Sequence, residues 1–371
     1  MKKLILIDHE LYTKRRKEIF MIDAFIKSGF NVEIWDISNI VYPNIKYPDE
    51  QKDEIVKKLL NIDDLNKRLS LCNIKDTIFI VECLDIWDNR KIYRLLSEYN
   101  CYTIKIDLYA NTVLKETYKE KISRLFSSTF FSIINNKIKY TFLSIYKKVY
   151  KIKSFDKILS SSSIVYRTDK INHPDYESYI QEMNDKPIVE GNYIVFCDIS
   201  FPDHPEFVSL YKKRPSAIKY RKSLNIFFDF LEKKYKMPVI IAAHPKSNYD
   251  GDEFGYRKII KYNTGNLVIN SSLVLQHFSN SVSYCILANK PVIFFITEDM
   301  KELKESIQYM NLLCKTLGKE TINIDKDDLD KLDTNTITEE YREQYIYTYL
   351  TSLETKDKNN FNIIKGILEA L

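Results

Sequence analysis

Five histidines, with the polar clusters around them, are the residues whose types and spacing can do chemistry. His9 follows an apolar run at the N-terminus. The other four lie in the second half: His173 in NHPDYE, His204 in DISFPDHPEF, His244 in AAHPKSNYD and His277 in LQHFSNSVSY. In His244-Pro245-Lys246-Ser247 the proline fixes φ and has no amide hydrogen, so it ends the preceding strand and sets the path of the loop. His244 and Lys246 then offer donors at one place, which suits a phosphate or a carboxylate. After His277, Ser279 or Asn280 is a good N-cap for a following helix. Backbone amides there, with the hydroxyls of Ser279 and Ser281, suit an anion at a helix N-terminus. The plain alternatives are buried structural histidines and a capping box without a ligand.

Acidic residues supply candidates for the base. Asp198, Asp203 and Glu206 surround His204, and a carboxylate near a cleft can deprotonate a hydroxyl nucleophile. A solvated acidic turn is the alternative. Asp198 is the first choice as base, with His204 and Glu206 next. Asp8 or His9, after the first strand, also qualifies. Asp250-Gly251-Asp252 fits a glycine-containing turn better than a metal-binding DxD. The histidines lie too far apart for a local zinc motif, so no metal is expected. With only 7 glycines, the chain has neither the dinucleotide fingerprint nor a P-loop. It has no GxSxG elbow, and no cysteine pairs with a nearby histidine in a recognised order. The six cysteines are scattered without a CxxC, which points to a reducing compartment.

Those residues need elements to position them. KLILID (3–8) reads as a buried strand, 14–28 as a helix closed by Gly29, and NVEIWDI (31–37) as a second strand. TIFIVEC (77–83) and YTIKIDL (102–108) follow, with a helix near 88–98 between them, and KILSSSS (157–163) adds another strand. After about residue 190 the alternation restarts. YIVFCDI (193–199), PVIIAAHP (238–245), NLVIN (266–270) and PVIFFI (291–296) read as strands, with helices over about 215–235 and 280–289. Short apolar strands alternating with helices specify parallel α/β sheets. Two such halves suggest two Rossmann-like domains facing a cleft, about 1–180 and 181–371, the second with helices after its last strand that run to the C-terminus. Ligands of open α/β sheets bind beyond the carboxyl ends of the strands, which is where Asp198 and His244 fall.

Composition sets limits. The chain has 371 residues, 44% of them apolar and 29% charged, enough for a sizeable core. Its abundant lysine and tyrosine follow a bias typical of AT-rich coding and carry no functional signal. The net charge of +5 is too balanced to imply nucleic acid. No window is apolar enough for a membrane span, and the N-terminus lacks the features of a signal peptide. A cytoplasmic protein is expected. Residues 121–155 stand apart, with eight basic residues and no acidic one among interleaved aromatics and isoleucines. They are either a basic amphipathic surface lying on anionic lipid at the inner membrane face or a helix whose apolar side packs on the sheet.

The second-half clusters carry a resemblance. HPKSNY, then Arg257, TGNLV, His277-x-Ser279-x-Ser281 and KPVIF are similar to bacterial surface-polysaccharide glycosyltransferases of the GT-B type, over roughly residues 170–296. The His-Pro pair and the serine motif resemble those of sialyltransferases that use CMP-activated donors. The resemblance implies that His244, Pro245, Ser279 and Ser281 contact the donor phosphate, with Lys246 and His277 beside them. The acidic-acidic-Gly motif that carries the base in those families is not evident here. The function expected is an inverting, metal-independent transferase that moves a sugar from a nucleotide sugar to a glycan or lipid-linked glycan. The first choice of donor is a CMP-linked nonulosonate or Kdo. The alternatives are a UDP-sugar transferase, a nucleotide-sugar 2-epimerase and a non-catalytic polysaccharide-assembly protein.

Overall fold

The computed structural model describes residues 3–10, 12–42, 53–112, 114, 130–165, 168–203 and 216–371. Seven parallel strands form the first sheet: β1 (Lys3–Asp8), β2 (Asn31–Asp36), β3 (Val56–Lys58), β4 (Thr77–Glu82), β5 (Tyr102–Asp107), β6 (Lys157–Ser160) and β7 (Asp169–Lys170). Their spatial order is β3-β2-β1-β4-β5-β6-β7. Six form the second: β8 (Ile194–Cys197), β9 (Val239–Ala243), β10 (Ile259–Lys261), β11 (Leu273–Gln276), β12 (Val292–Ile296) and β13 (Thr321–Asn323). Their order is β10-β9-β8-β11-β12-β13. Both sheets are doubly wound. The strand order reverses between β1 and β4 in one and between β8 and β11 in the other, leaving a crevice at each carboxyl edge.

Side-chain alternation explains the layering. Along β1, Leu4 and Leu6 pack with Phe20, Phe25 and Ile34 on one face. Ile5 and Ile7 pack with Trp35, Phe79 and Tyr93 on the other. Central strands with both faces covered become continuous apolar runs. β8, β9 and β12 are buried at every position, so they were visible in the sequence.

Besides the short strands β3, β7, β10 and β13, which the sequence reading did not name, three elements differ from it. The helix expected over 14–28 is two, α1 (Lys14–Ile19) and α2 (Ile22–Lys27), separated at Met21, whose φ is +50°. NLVIN is not a strand but the end of a helix, Thr264–Asn270, and the strand follows at Leu273. A short apolar run fits either state by periodicity alone. Finally, the C-terminal helices do not all stay with the second sheet. Ile364 and Leu368 of the last helix, Asn360–Glu369, are buried in the first domain's core beside Phe25. The preceding stretch is bonded to the β7 exit: Thr351 Oγ1 donates to Asn172 Oδ1 at 2.6 Å, and Asn360 Nδ2 to the Asn172 carbonyl at 2.7 Å.

Candidate functional site

The two carboxyl edges face each other. Asn111, just beyond β5, donates from Nδ2 to Ser283 Oγ at 2.9 Å in a buried contact; Ser283 lies just beyond β11. Arg15 in α1 reaches Asp175 at 3.4 Å. Glu10, just after β1, feels the ammonium of Lys246 in the loop after β9.

On the second-domain wall, the His244 loop is built from local bonds. Ser247 donates to the His244 carbonyl from its amide at 2.9 Å and from its hydroxyl at 2.7 Å. The Lys246 amide donates to His244 Nδ1 at 3.1 Å. An imidazole nitrogen that accepts carries no proton, so in neutral His244 the N–H is on Nε2. The loop thus holds an imidazole donor two residues from an ammonium.

Asp198 lies beneath this loop and is only 4% exposed. Its Oδ2 accepts from the His244 amide at 3.1 Å and from the Tyr249 hydroxyl at 2.7 Å. Its Oδ1 accepts from the Ser200 amide at 2.9 Å. Burial pushes its carboxyl above the usual range, against the pull of these donors. The preferred base of the sequence reading is therefore enclosed and engaged on both oxygens, in the position of a brace for the His244 loop. The next candidates, His204 and Glu206, lie outside the described residues.

His277 is fully buried. Its Nδ1 lies 2.7 Å from the Phe295 carbonyl, which can only accept, so Nδ1 carries the proton. Nε2 then accepts from the Tyr220 hydroxyl at 2.9 Å. Burial lowers its pKa to about 4, so it is neutral at physiological pH. The expectation that it contacts phosphate meets a ring with both nitrogens committed to the core. The serines beyond it are also interlocked: Ser279 Oγ and Ser281 Oγ are 2.8 Å apart, and Gln276 Nε2 donates to Ser281 Oγ at 2.6 Å. The helix they precede is short, Val282–Leu287, and its N-cap is Ser281, without a side-chain cap bond. The first amides, on Val282, Ser283 and Tyr284, already donate to the carbonyls of Ser279, Asn280 and Ser281 at 3.1–3.2 Å. The expected helix-terminus anion site, capped by Ser279 or Asn280, is thus not what the local geometry provides. Two groups that sequence reasoning missed lie at the strand ends: Gln276 Oε1 and Thr297 Oγ1, both buried and without a hydrogen-bond partner among the described residues. Their signal was their place at the ends of apolar runs.

On the first-domain wall, β1 and β4 pair with Asp8 opposite Glu82. Two buried carboxylates meet there, and Arg16 compensates them, with Nε 2.8 Å and Nη2 2.6 Å from Asp8 Oδ2. Burial drives Glu82 up to about 8 despite Arg16. His9 sits above this pair. Its Nδ1 is 2.5 Å from the Glu82 carbonyl oxygen, so Nδ1 is the protonated nitrogen and Nε2 the basic one. Its side chain is 15% exposed. Next to it, Glu10 accepts from the Tyr109 hydroxyl at 3.1 Å. Desolvation raises the Glu10 pKa, but Arg16, Lys246 and His9 outweigh it and hold this carboxyl below the usual range. Among the described residues no three His, Cys, Asp or Glu side chains converge on a common point.

No protein-family model and no curated protein sequence matches the chain. Solved structures do. The glycosyltransferase SnogD from Streptomyces nogalater aligns over 100% of this chain and 99% of its own, with TM-score 0.53 and 8% identity. The glycosyltransferase VinC, solved with dTDP, aligns over 99% and 98%, with TM-score 0.49 and 8% identity. The wall teichoic acid polymerase TagF aligns over 100% and 90%, with TM-score 0.48 and 14% identity. The likeness to SnogD agrees with the topology: the chain has the GT-B fold of two Rossmann-like domains facing a cleft.

Proposed function

We propose that the chain is an inverting, metal-independent glycosyltransferase that moves a sugar from a nucleotide sugar to a glycan acceptor. One observation carries this reading: an imidazole donor and an ammonium, His244 and Lys246, stand on one wall of the cleft, and a histidine with a basic Nε2, His9, on the other. His244 Nε2–H and Lys246 would take up the charge that develops on the leaving phosphate. Pro245 sets the loop's path, and Ser279 and Ser281 line the neighbouring strand end. His9 would remove the acceptor's hydroxyl proton, and its Nδ1–H bond to the Glu82 carbonyl would hold the ring in orientation. Asp198 acts as a positioning residue for His244. The nucleotide is proposed to be CMP-linked, carrying a nonulosonate or Kdo, on the strength of the His-Pro and serine motifs.

The test is thermal stabilisation by CMP, UDP, GDP and UMP in parallel, with and without EDTA. A ligand that binds only the native state adds about 2.7 kcal/mol at a hundredfold excess over its Kd. A shift with CMP alone, unaffected by EDTA, supports the proposal. A shift with UDP alone keeps the phosphate site and replaces the donor, and sugar alteration without acceptor would then identify an epimerase. No shift with any nucleotide refutes the transferase reading. Removing one preorganised donor costs ~10²–10³ in rate, so His244→Ala should lose that much turnover with an unchanged circular dichroism spectrum. His9→Gln should lower kcat while leaving the nucleotide-induced shift intact.

A further inference from the structure

After α3 (Ser38–Val41), α4 (Ile62–Ser70) and α5 (Arg90–Glu98), the long helix α6 (Phe130–Val149) of the basic segment does not pack its apolar side on the sheet. Leu143 is buried, but Ile134, Ile138, Phe142, Ile145 and Val149 are 38%, 49%, 57%, 53% and 67% exposed. Their steps of four, four, three and four residues place them along one side of a helix. A run of five large apolar side chains facing water calls for an occupant.

The rotation of α6 is fixed from beneath. Trp87, just beyond β4, packs against Phe142 at 6.3 Å and Tyr146 at 5.8 Å. Arg90 lies 4.2 Å over the Trp87 ring, and Arg94 4.1 Å over Tyr150. Lys147 is ion-paired with Asp85. These contacts turn Leu143 inward and the stripe outward. Lys137, Lys139 and Lys148 are exposed beside the stripe, and residues 121–155 contain no acidic side chain.

The charge decides between occupants. A second copy of the chain would set the exposed lysines of one helix against those of the other, and the helix itself carries no carboxylate to pair them. A bilayer carrying anionic headgroups complements the lysines and accepts the apolar stripe at the boundary of its acyl chains. We infer that the outward face of α6 is a membrane-surface anchor that lies on an anionic bilayer. Its root is on the loop after β4, at the same carboxyl edge as His9, so the anchor brings that wall of the cleft to the lipid surface. This rests on the proposed transferase activity and deepens it: the acceptor is a glycan whose lipid anchor sits in that bilayer.

The experiment is flotation of the full chain with phosphatidylglycerol–phosphatidylcholine vesicles and with phosphatidylcholine alone. It is paired with light scattering for mass and with the nucleotide-induced thermal shift, which reads the transferase site independently. Two variants at exposed positions are compared, Ile138→Asp/Ile145→Asp and Lys137→Glu/Lys148→Glu. The wild type is expected to float with the anionic vesicles and much less with the neutral ones. Each lysine near an anionic surface strengthens binding about fivefold, so the lysine variant should bind about 25-fold more weakly. The isoleucine variant should lose about tenfold or more. Both should keep the nucleotide shift. No flotation, equal recovery with both lipids, or unchanged binding by the variants overturns the anchor. So does a wild-type dimer that the isoleucine variant converts to a monomer, because a second copy then covers the stripe.

Discussion

His277, placed beside the donor phosphate by the sequence, is buried in the fold with both ring nitrogens bonded, and its response to pH tests that placement. In the folded protein its pKa falls from 6.5 to about 4 because the ring is buried; in the unfolded chain it returns to the ordinary value. As pH falls below 6.5 the unfolded state takes up a proton that the native state refuses until about 4. The contribution to stability is present above pH 6.5 and is lost as pH falls through that window, for a total of about 3 kcal/mol. Between pH 7.5 and 5.0 the expected loss is about 2 kcal/mol. Substituting His277→Leu removes the titration and also both ring bonds, leaving the Phe295 carbonyl and the Tyr220 hydroxyl unpaired at a cost of about 2–4 kcal/mol. Urea unfolding of both proteins by far-UV circular dichroism isolates the proton term. The gap between wild type and variant should shrink by about 2 kcal/mol on going from pH 7.5 to 5.0. A constant gap would refute the buried neutral ring. A gap that widens at low pH would mean a native imidazolium and would overturn the assignment of both ring nitrogens to core partners.

Two further substitutions test the two walls. Asp198→Asn turns an amide N–H₂ toward one of the groups that now donates to the carboxylate; it should lower stability by about 2–4 kcal/mol and weaken the nucleotide-induced thermal shift. Unchanged stability with turnover abolished would instead restore Asp198 as the base. Glu82, driven by burial from its ordinary 4.5 up to about 8, keeps its proton in the folded state after the unfolded chain has lost it. Its contribution is therefore full below 4.5 and is lost as pH rises through about 8. Glu82→Gln should gain on the wild type by roughly 3 kcal/mol between pH 6 and 9, and equal unfolding gaps at the two pH values would refute the protonated carboxyl.

The fold was legible because the strands are buried on both faces. LILI, VIIAA and VIFFI are short continuous apolar runs of the kind that central strands covered on both faces require, and their order of appearance agrees with two parallel sheets. NLVIN failed because five apolar-rich residues carry no period, and Thr264–Asn270 is short for a helix. The place of His244 at the carboxyl end of β9 was legible because His-Pro closes an apolar run. The state of His277 was not, since its ring partners are 57 and 18 residues away. The Asp8–Glu82–Arg16 cluster needed the register of β1 on β4, which no local pattern encodes. The amphipathic character of α6 was visible, but which face it buries depends on Trp87 and on Arg90 and Arg94 beneath it.

The geometry of displacement argues for a base on the first-domain wall. In an inverting transfer the acceptor oxygen attacks opposite the leaving phosphate, so the group that takes its proton and the groups that hold the phosphate stand on opposite sides of the sugar. His244 and Lys246 lie on the second-domain wall. Asp198 lies on that same wall, bonded to the His244 amide at 3.1 Å. There an open carboxylate would repel the phosphate and face away from the attacking hydroxyl. In the proposed transfer His9 stands on the other side. The Glu82 carbonyl fixes the proton on Nδ1, which leaves Nε2 as the nitrogen that would take the acceptor's proton in the proposed transfer. A split between kcat and KM follows from this arrangement. His9→Gln should lower kcat and leave the KM for the nucleotide sugar unchanged, whereas Asp198→Asn, which loosens the His244 loop, should raise that KM; the reverse pattern would refute the assignment.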